Sequence, residues 1–178
     1  MSKTNNFVFI ALHIISWLIF VGLCIEAGAM LVNFVFSLFK PEMVANLYQK
    51  LDLSSLYQQS KWVYFGMYGF VIFIAVSKAI LFYVVIELLY KLDMTKPFSS
   101  FVARKITQIS YYTLAIGVLS FMARQTAENL SHHGYEINKL SPFWVDSQAF
   151  ILMAAIIYVI ATIFKKGVDI QNENDLTV

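Results

Sequence analysis

Charge is scarce in this sequence. Only 13% of the 178 residues are Asp, Glu, Lys or Arg, about half the share an ordinary soluble domain carries. Hydrophobic residues make up 59%, and the mean hydropathy is +0.67. That balance excludes a soluble globular domain. A net charge of +2 is too small to mark nucleic acid as a direct partner. A single cysteine, Cys24, excludes an intramolecular disulfide. Also missing are the G-x-S-x-G turn, the H-E-x-x-H helix and a glycine loop able to cradle phosphate. Cys24 has no identifiable base beside it, so neither an enzyme nor a bound cofactor is expected.

What the sequence has instead is long apolar runs. Residues 7–39 are apolar apart from Glu26 and a few small polar residues, and 62–90 are interrupted by Lys78 and Glu87. Two further runs centre on spans 104–124 and 146–164. Each is long enough for a hydrocarbon core that needs about 20 helical residues. None shows the alternation of barrel strands, and a spanning segment must satisfy its own backbone, so all four are helices. The expectation is an all-α integral membrane bundle, one domain over 1–178 with a tail at 165–178. Ala27-Gly28-Ala29 imitates a signal-peptide cleavage site, but the apolar stretch before it exceeds the roughly 7–15 residues of a signal core. The first helix is read as uncleaved.

Basic residues set the orientation. Lys3, Lys91, Lys96, Arg104, Lys105, Lys165 and Lys166 fall on one side, and Lys40, Lys50, Lys61, Arg124 and Lys139 on the other. Positive charge favours the cytoplasmic face. The expectation is therefore a multi-pass membrane protein with both termini in the cytoplasm.

The loops carry local signals. In the first, Pro41 suits a helix start. Met43, Val44, Leu47, Tyr48 and Leu51 share one helical face, which predicts a short amphipathic helix on lipid or on the bundle. It serves as a structural lid or as a ligand-binding cap. In the second, Pro97 stops the preceding helix, Ser99 or Ser100 caps the next, and Arg104 and Lys105 snorkel at headgroup level. In the third, adjacent His132 and His133 cannot face one metal from a helix, and Glu136 and Asp146 are too scattered to help. No metal site is expected.

Glu26, Lys78, Glu87 and His13 are the residues that lipid penalises. Glu26 lies about 21 Å below Lys40, and Lys78 about 24 Å below Trp62, at 1.5 Å per residue. Equal depth predicts a buried Glu26–Lys78 pair, either a packing clamp or a polar pocket for an ion, proton or small ligand. His13 is read as an interhelical hydrogen-bonder, and Glu87 as reaching headgroup water or Lys91 at i+4.

Two stretches carry a resemblance. F-K-K-G-V-D-I-Q-N-E-N-D-L-T-V, residues 164–178, and K-P-F-S-S-F-V-A-R-K-I, residues 96–106, resemble the closing segment and the second-loop hallmark of the bacterial membrane family known as domain of unknown function 2975. Members often carry an acid and an Asn after Pro-Phe-Ser, where this chain has Ser100 and Phe101. The resemblance implies a four-span membrane fold and no established activity. It also implies a regulatory pairing with a small helix-turn-helix transcription regulator.

Both stretches fall on the cytoplasmic side of the expected topology. The reading is a membrane-anchored interaction protein with a docking surface of Pro97, Phe98, Ser99, Arg104, Lys105, Gly167, Gln171, Glu173, Asn174, Asp175 and Leu176. The tail is expected to fold back onto the second loop and bring its acids to Arg104 and Lys105. The alternative is a small transporter or sensor built on Glu26 and Lys78. The lipid bilayer is a partner in either case, and the oligomeric state stays open.

The topology yields a first test. With Cys24 replaced, single cysteines at Ser2 and Thr177 should resist a membrane-impermeant maleimide in intact cells. Labelling of either from outside would reverse the orientation.

Overall fold

The computed structural model describes residues 3–48, 51–93, 97–144 and 146–175. Ser2, Lys50, Lys96, Leu176 and Thr177 lie outside the described residues, as do the side chains of residues 3–6, 174 and 175. Four long helices, α1 (Lys3–Phe39), α3 (Lys61–Lys91), α4 (Ser100–His132) and α5 (Ser147–Asp175), are long and apolar enough to cross a membrane. The short α2 (Ser54–Gln59) lies between α1 and α3. At 29 to 37 residues, the four long helices measure about 43 to 56 Å, more than the roughly 30 Å of hydrocarbon. The spans expected at 104–124 and 146–164 are therefore the apolar middles of longer helices.

Side chains set most helix boundaries. Ser60 Oγ accepts from the Val63 amide at 3.4 Å and starts α3. Ser99 Oγ accepts from Val102 at 3.3 Å and starts α4, and Asp146 Oδ1 accepts from Ala149 at 3.3 Å and starts α5. Each satisfies one amide that the helix leaves unpaired. α4 ends where Gly134 turns to φ +84°. The Gly134 amide donates to Ser131 and the Tyr135 amide to Leu130, at 3.0 and 3.1 Å, a Schellman closure that needs glycine at the left-handed position.

The long helices form a row: α1 packs on α3, α3 on α4, and α4 most extensively on α5. The reason for that last contact is small side chains at seven-residue spacing. Ala103, Ser110 and Gly117 on α4, and Ser147, Ala154, Ala161 and Val168 on α5, are all buried. Ser110 Oγ donates to the Ala154 carbonyl at 2.9 Å. A Cβ on Gly117 would stand 2.9 Å from Ile151 Cγ1 and 3.0 Å from its backbone nitrogen. Between helices in lipid, association rests on close packing and interhelical hydrogen bonds, both of which small residues permit. The apolar stretch of α1, in contrast, is almost entirely unburied by protein.

At one end of the row the first and third loops form a common lid. The first loop is helical in two pieces, a 3₁₀ turn at Pro41–Ala45 and then α2, where the pattern predicted one continuous amphipathic turn of helix. A Leu47–Leu51 bridge and a Leu53 amide donating to Val44 fold the segment between them back on itself. Val44, Leu47, Leu53 and Leu56 are buried together with Ile137 and Leu140 of the third loop. The apolar set thus packs down on the helix ends. Lys139 Nζ reaches Asp52 Oδ2 at 3.8 Å across the two loops. Asp52 also accepts from the Ser54 hydroxyl and amide, at 2.5 and 2.9 Å, and these bonds hold its carboxyl below the ordinary range.

The α4–α5 contact predicts the response to a side chain at Gly117. Gly117→Val should cost about 1–3 kcal/mol through overpacking against the α5 backbone, read as a lower melting temperature in detergent. Gly66→Ala, where an added Cβ meets nothing within 4 Å, should leave melting near its starting value. Equal melting of both variants would mean that the close approach is not what holds the pair.

Candidate functional site

The face opposite the lid is built by the second loop, the start of α4 and the end of α5. Pro97 precedes the Ser99 cap of α4, and Phe98 between them is partly exposed. The Phe98 ring lies 5.3 Å, centroid to centroid, from the Phe164 ring. It also covers Gly167 so closely that a Cβ there would fall 2.6 Å from Phe98 Cδ1. Glycine at 167 is what admits the ring. The next residue, Val168, is buried.

The residues after Lys165 do not form a separate tail, since α5 continues through them to Asp175. Lys165, Lys166, Asp169 and Gln171 do not oppose a helix, and Val168 gains by burial on that path, so nothing stops it at the membrane boundary. Tail and second loop do meet, but through side-by-side helix packing under Phe98 and not through a returning strand of tail. Gly167 and Gln171 are half-buried and Glu173 is exposed. The side chains of Asn174 and Asp175, and all of Leu176, lie outside the described residues.

The two basic residues of the α4 start have different fates. Lys105 Nζ lies 2.6 Å from Glu87 Oε2, and Lys91 Nζ lies 3.5 Å from the other Glu87 oxygen. The Lys91 contact was legible as an i+4 pair. The shorter Lys105 bond was not, because it joins α3 to α4 across the loop. Phe101 completes this knot, with the Lys91 and Lys105 ammonium groups 5.2 and 5.7 Å from its ring centre. Both distances suit a cation–π attraction, so the aromatic at 101 has a physical partner. The expected approach of tail acids to Lys105 is replaced by Glu87. Arg104 is exposed and lines a groove with Lys165 and Asp169.

The expected Glu26–Lys78 pair is not formed. Depth was read correctly: His13 faces Tyr90, Phe20 faces Tyr83 and Phe34 stacks on Tyr68, a register that sets Glu26 level with Lys78. Among the described residues, however, no ion pair joins them. Ala27 and Ala79 are the buried residues at this level, and each charged residue precedes its alanine by one, about 100° around the helix. Both are half-buried. His13 Nε2 accepts from the Trp17 indole at 3.2 Å, within α1, not between helices as expected. His132 closes α4, and His133 Nδ1 lies 2.8 Å from the Asn129 carbonyl.

With this geometry in place, comparison with known proteins becomes informative. The sequence profile described as "Protein of unknown function (DUF2975)" matches residues 46–178. The chain belongs to this family. The matched stretch takes in α2 through α5, hence the lid apart from its Pro41–Ala45 turn, the α4–α5 pair and the whole Phe98–Gly167 junction. No curated protein and no solved structure matches the chain. In this member of the family, Glu87, Phe101, Val168 and Asp169 join the site, although the sequence did not place them on the docking surface.

The charge geometry predicts a contrast between two pairs. In a double-mutant cycle by detergent melting, Glu87→Gln and Lys105→Met should be non-additive, the double change costing less than the sum of the single ones, because each single change leaves the other partner without its 2.6 Å contact. The same cycle with Glu26→Gln and Lys78→Met should be additive within about 0.5 kcal/mol. Coupling at the second pair and additivity at the first would reverse this assignment.

Proposed function

We propose that this protein is a membrane-anchored interaction protein whose second-loop face docks a soluble partner. The observation that carries the reading is the Phe98–Gly167 junction. It brings the two stretches that bear the family resemblance, far apart in sequence, onto one surface. Nothing in membrane insertion calls for an aromatic laid over a glycine at that place. The surface combines a half-exposed ring, an exposed Arg104 and the polar last turns of α5, a mixture typical of a protein–protein contact. The resemblance supplies the partner class, a small helix-turn-helix transcription regulator. On this reading the face lies in the bacterial cytoplasm, the bilayer is the inner membrane, and the protein performs no catalysis. The transporter or sensor reading loses its main support, since Glu26 and Lys78 make no pair.

The experiment is co-purification from detergent with a small helix-turn-helix regulator co-expressed with the full chain. The full chain should retain it, whereas deletion of residues 172–178 or Phe98→Ala should release it with helix content and insertion unchanged. If the truncated chain holds the regulator as firmly as the full one, the docking reading fails.

A further inference from the structure

Beside the Phe98 junction, the first turns of α4 and the last turns of α5 leave a groove of about 430 Å³. Its apolar floor includes Ala103 and Val168, both buried. Its rim carries Arg104, Gln108, Lys165 and Asp169. Lys105, the neighbour of Arg104, is committed to Glu87. Arg104 and Lys165, by contrast, make no ion pair among the described residues. Two cations against one carboxylate leave the groove net positive. Arginine supplies a planar fork suited to phosphate oxygens, and lysine a second point charge. Ser100 and Gln108 add a hydroxyl and an amide at the same rim.

The position of the groove along the helices narrows the ligand. Arg104 lies just ahead of the apolar run of α4, and Lys165 just after that of α5, so both stand where hydrocarbon gives way to headgroups. A floor of Ala103 and Val168 suits the glycerol and upper acyl carbons of a lipid, and a cationic rim suits its phosphate. We infer that this groove is a binding site for a singly charged phosphate ester, held between Arg104 and Lys165. An anionic phospholipid headgroup and a soluble phosphate ester share that chemistry. Asp169 sets the selectivity, because its carboxylate repels a second negative charge and accepts from a headgroup hydroxyl. The site is independent of any docked protein.

The test uses the purified full chain in a non-ionic detergent with no other protein present. Binding of phosphatidylglycerol, phosphatidylcholine and glycerophosphoglycerol, the soluble diester with the same single charge, is read by native mass spectrometry and by the rise in melting temperature. Phosphatidylglycerol should bind in preference to phosphatidylcholine, and Arg104→Gln with Lys165→Gln should weaken it about ten-fold or more, as loss of charged hydrogen bonds implies. The same double variant should melt like the unmodified chain when no lipid is added. Lys40→Gln with Arg124→Gln, which removes equal charge near the lid, should keep full affinity. Competition by glycerophosphoglycerol would identify the soluble ester as a ligand of the same site, and its failure to compete would identify the lipid. Equal binding of phosphatidylcholine, or full affinity in the Arg104→Gln and Lys165→Gln chain, would overturn the site.

Discussion

The close approach of α4 to α5 at Gly117 is the contact on which the rest of the second half depends. A glycine so close to α5 that an added Cβ would stand 3.0 Å from the Ile151 backbone nitrogen fixes both the separation and the register of the two helices. Small buried residues at seven-residue steps carry that approach from Ala103 to Gly117 on one helix and from Ser147 to Val168 on the other. Register then decides what meets at the ends. It places Val168 against the first turns of α4 and Gly167 under Phe98. It also explains why the third span is the least apolar of the four, with a hydropathy of 1.3 against 2.2 to 2.6 elsewhere. Ser110, Thr113 and Ser120 are buried on protein, so lipid never tests their polarity.

A charge tie extends this order to α3. Glu87 lies near the end of its helix, where an unpaired carboxylate would be costly, and it is answered by two ammonium groups from different helices. Phe101 backs both cations with its ring face. With Pro97 and the Ser99 cap, the tie makes the second loop a short, braced turn. On that face Arg104 and part of the Phe98 ring stay exposed.

The lid shows a different use of the same apolar economy. Its leucines are spent on covering the helix ends, and the Asp52–Lys139 contact joins loops distant in sequence. The expectation of a lid in the first loop therefore holds, but its seal depends on Ile137 and Leu140 of the third. α1 stands at the edge of the row with most of its side chains turned away from protein. Its register against α3 comes from aromatic contacts along its length, not from a buried charge pair.

The four helices, the cap at Ser99 and the Glu87–Lys91 pair were legible in the sequence because each depends on residues within one turn or one run, whereas α3 ends at Lys91, ahead of the stop expected at Pro97. Hydropathy and capping are local quantities, and lipid makes the helical outcome nearly obligatory. Depth was legible too, since rise per residue is constant, and it set Glu26 level with Lys78. Azimuth was not. Whether two level side chains meet depends on how each helix is rotated against its neighbour, and that rotation is set by Ala27 and Ala79, not by the charges. The same limit hid Lys105 as the partner of Glu87 and Phe98 as the cover of Gly167. It also hid the helical course of the tail, which has no apolar run to announce it and owes its order to burial of Val168 beside α4. Local chemistry wrote the elements of this protein. Only the packing of helix faces, where a small side chain lets two backbones close and a large one holds them apart, decided which residues would share a site.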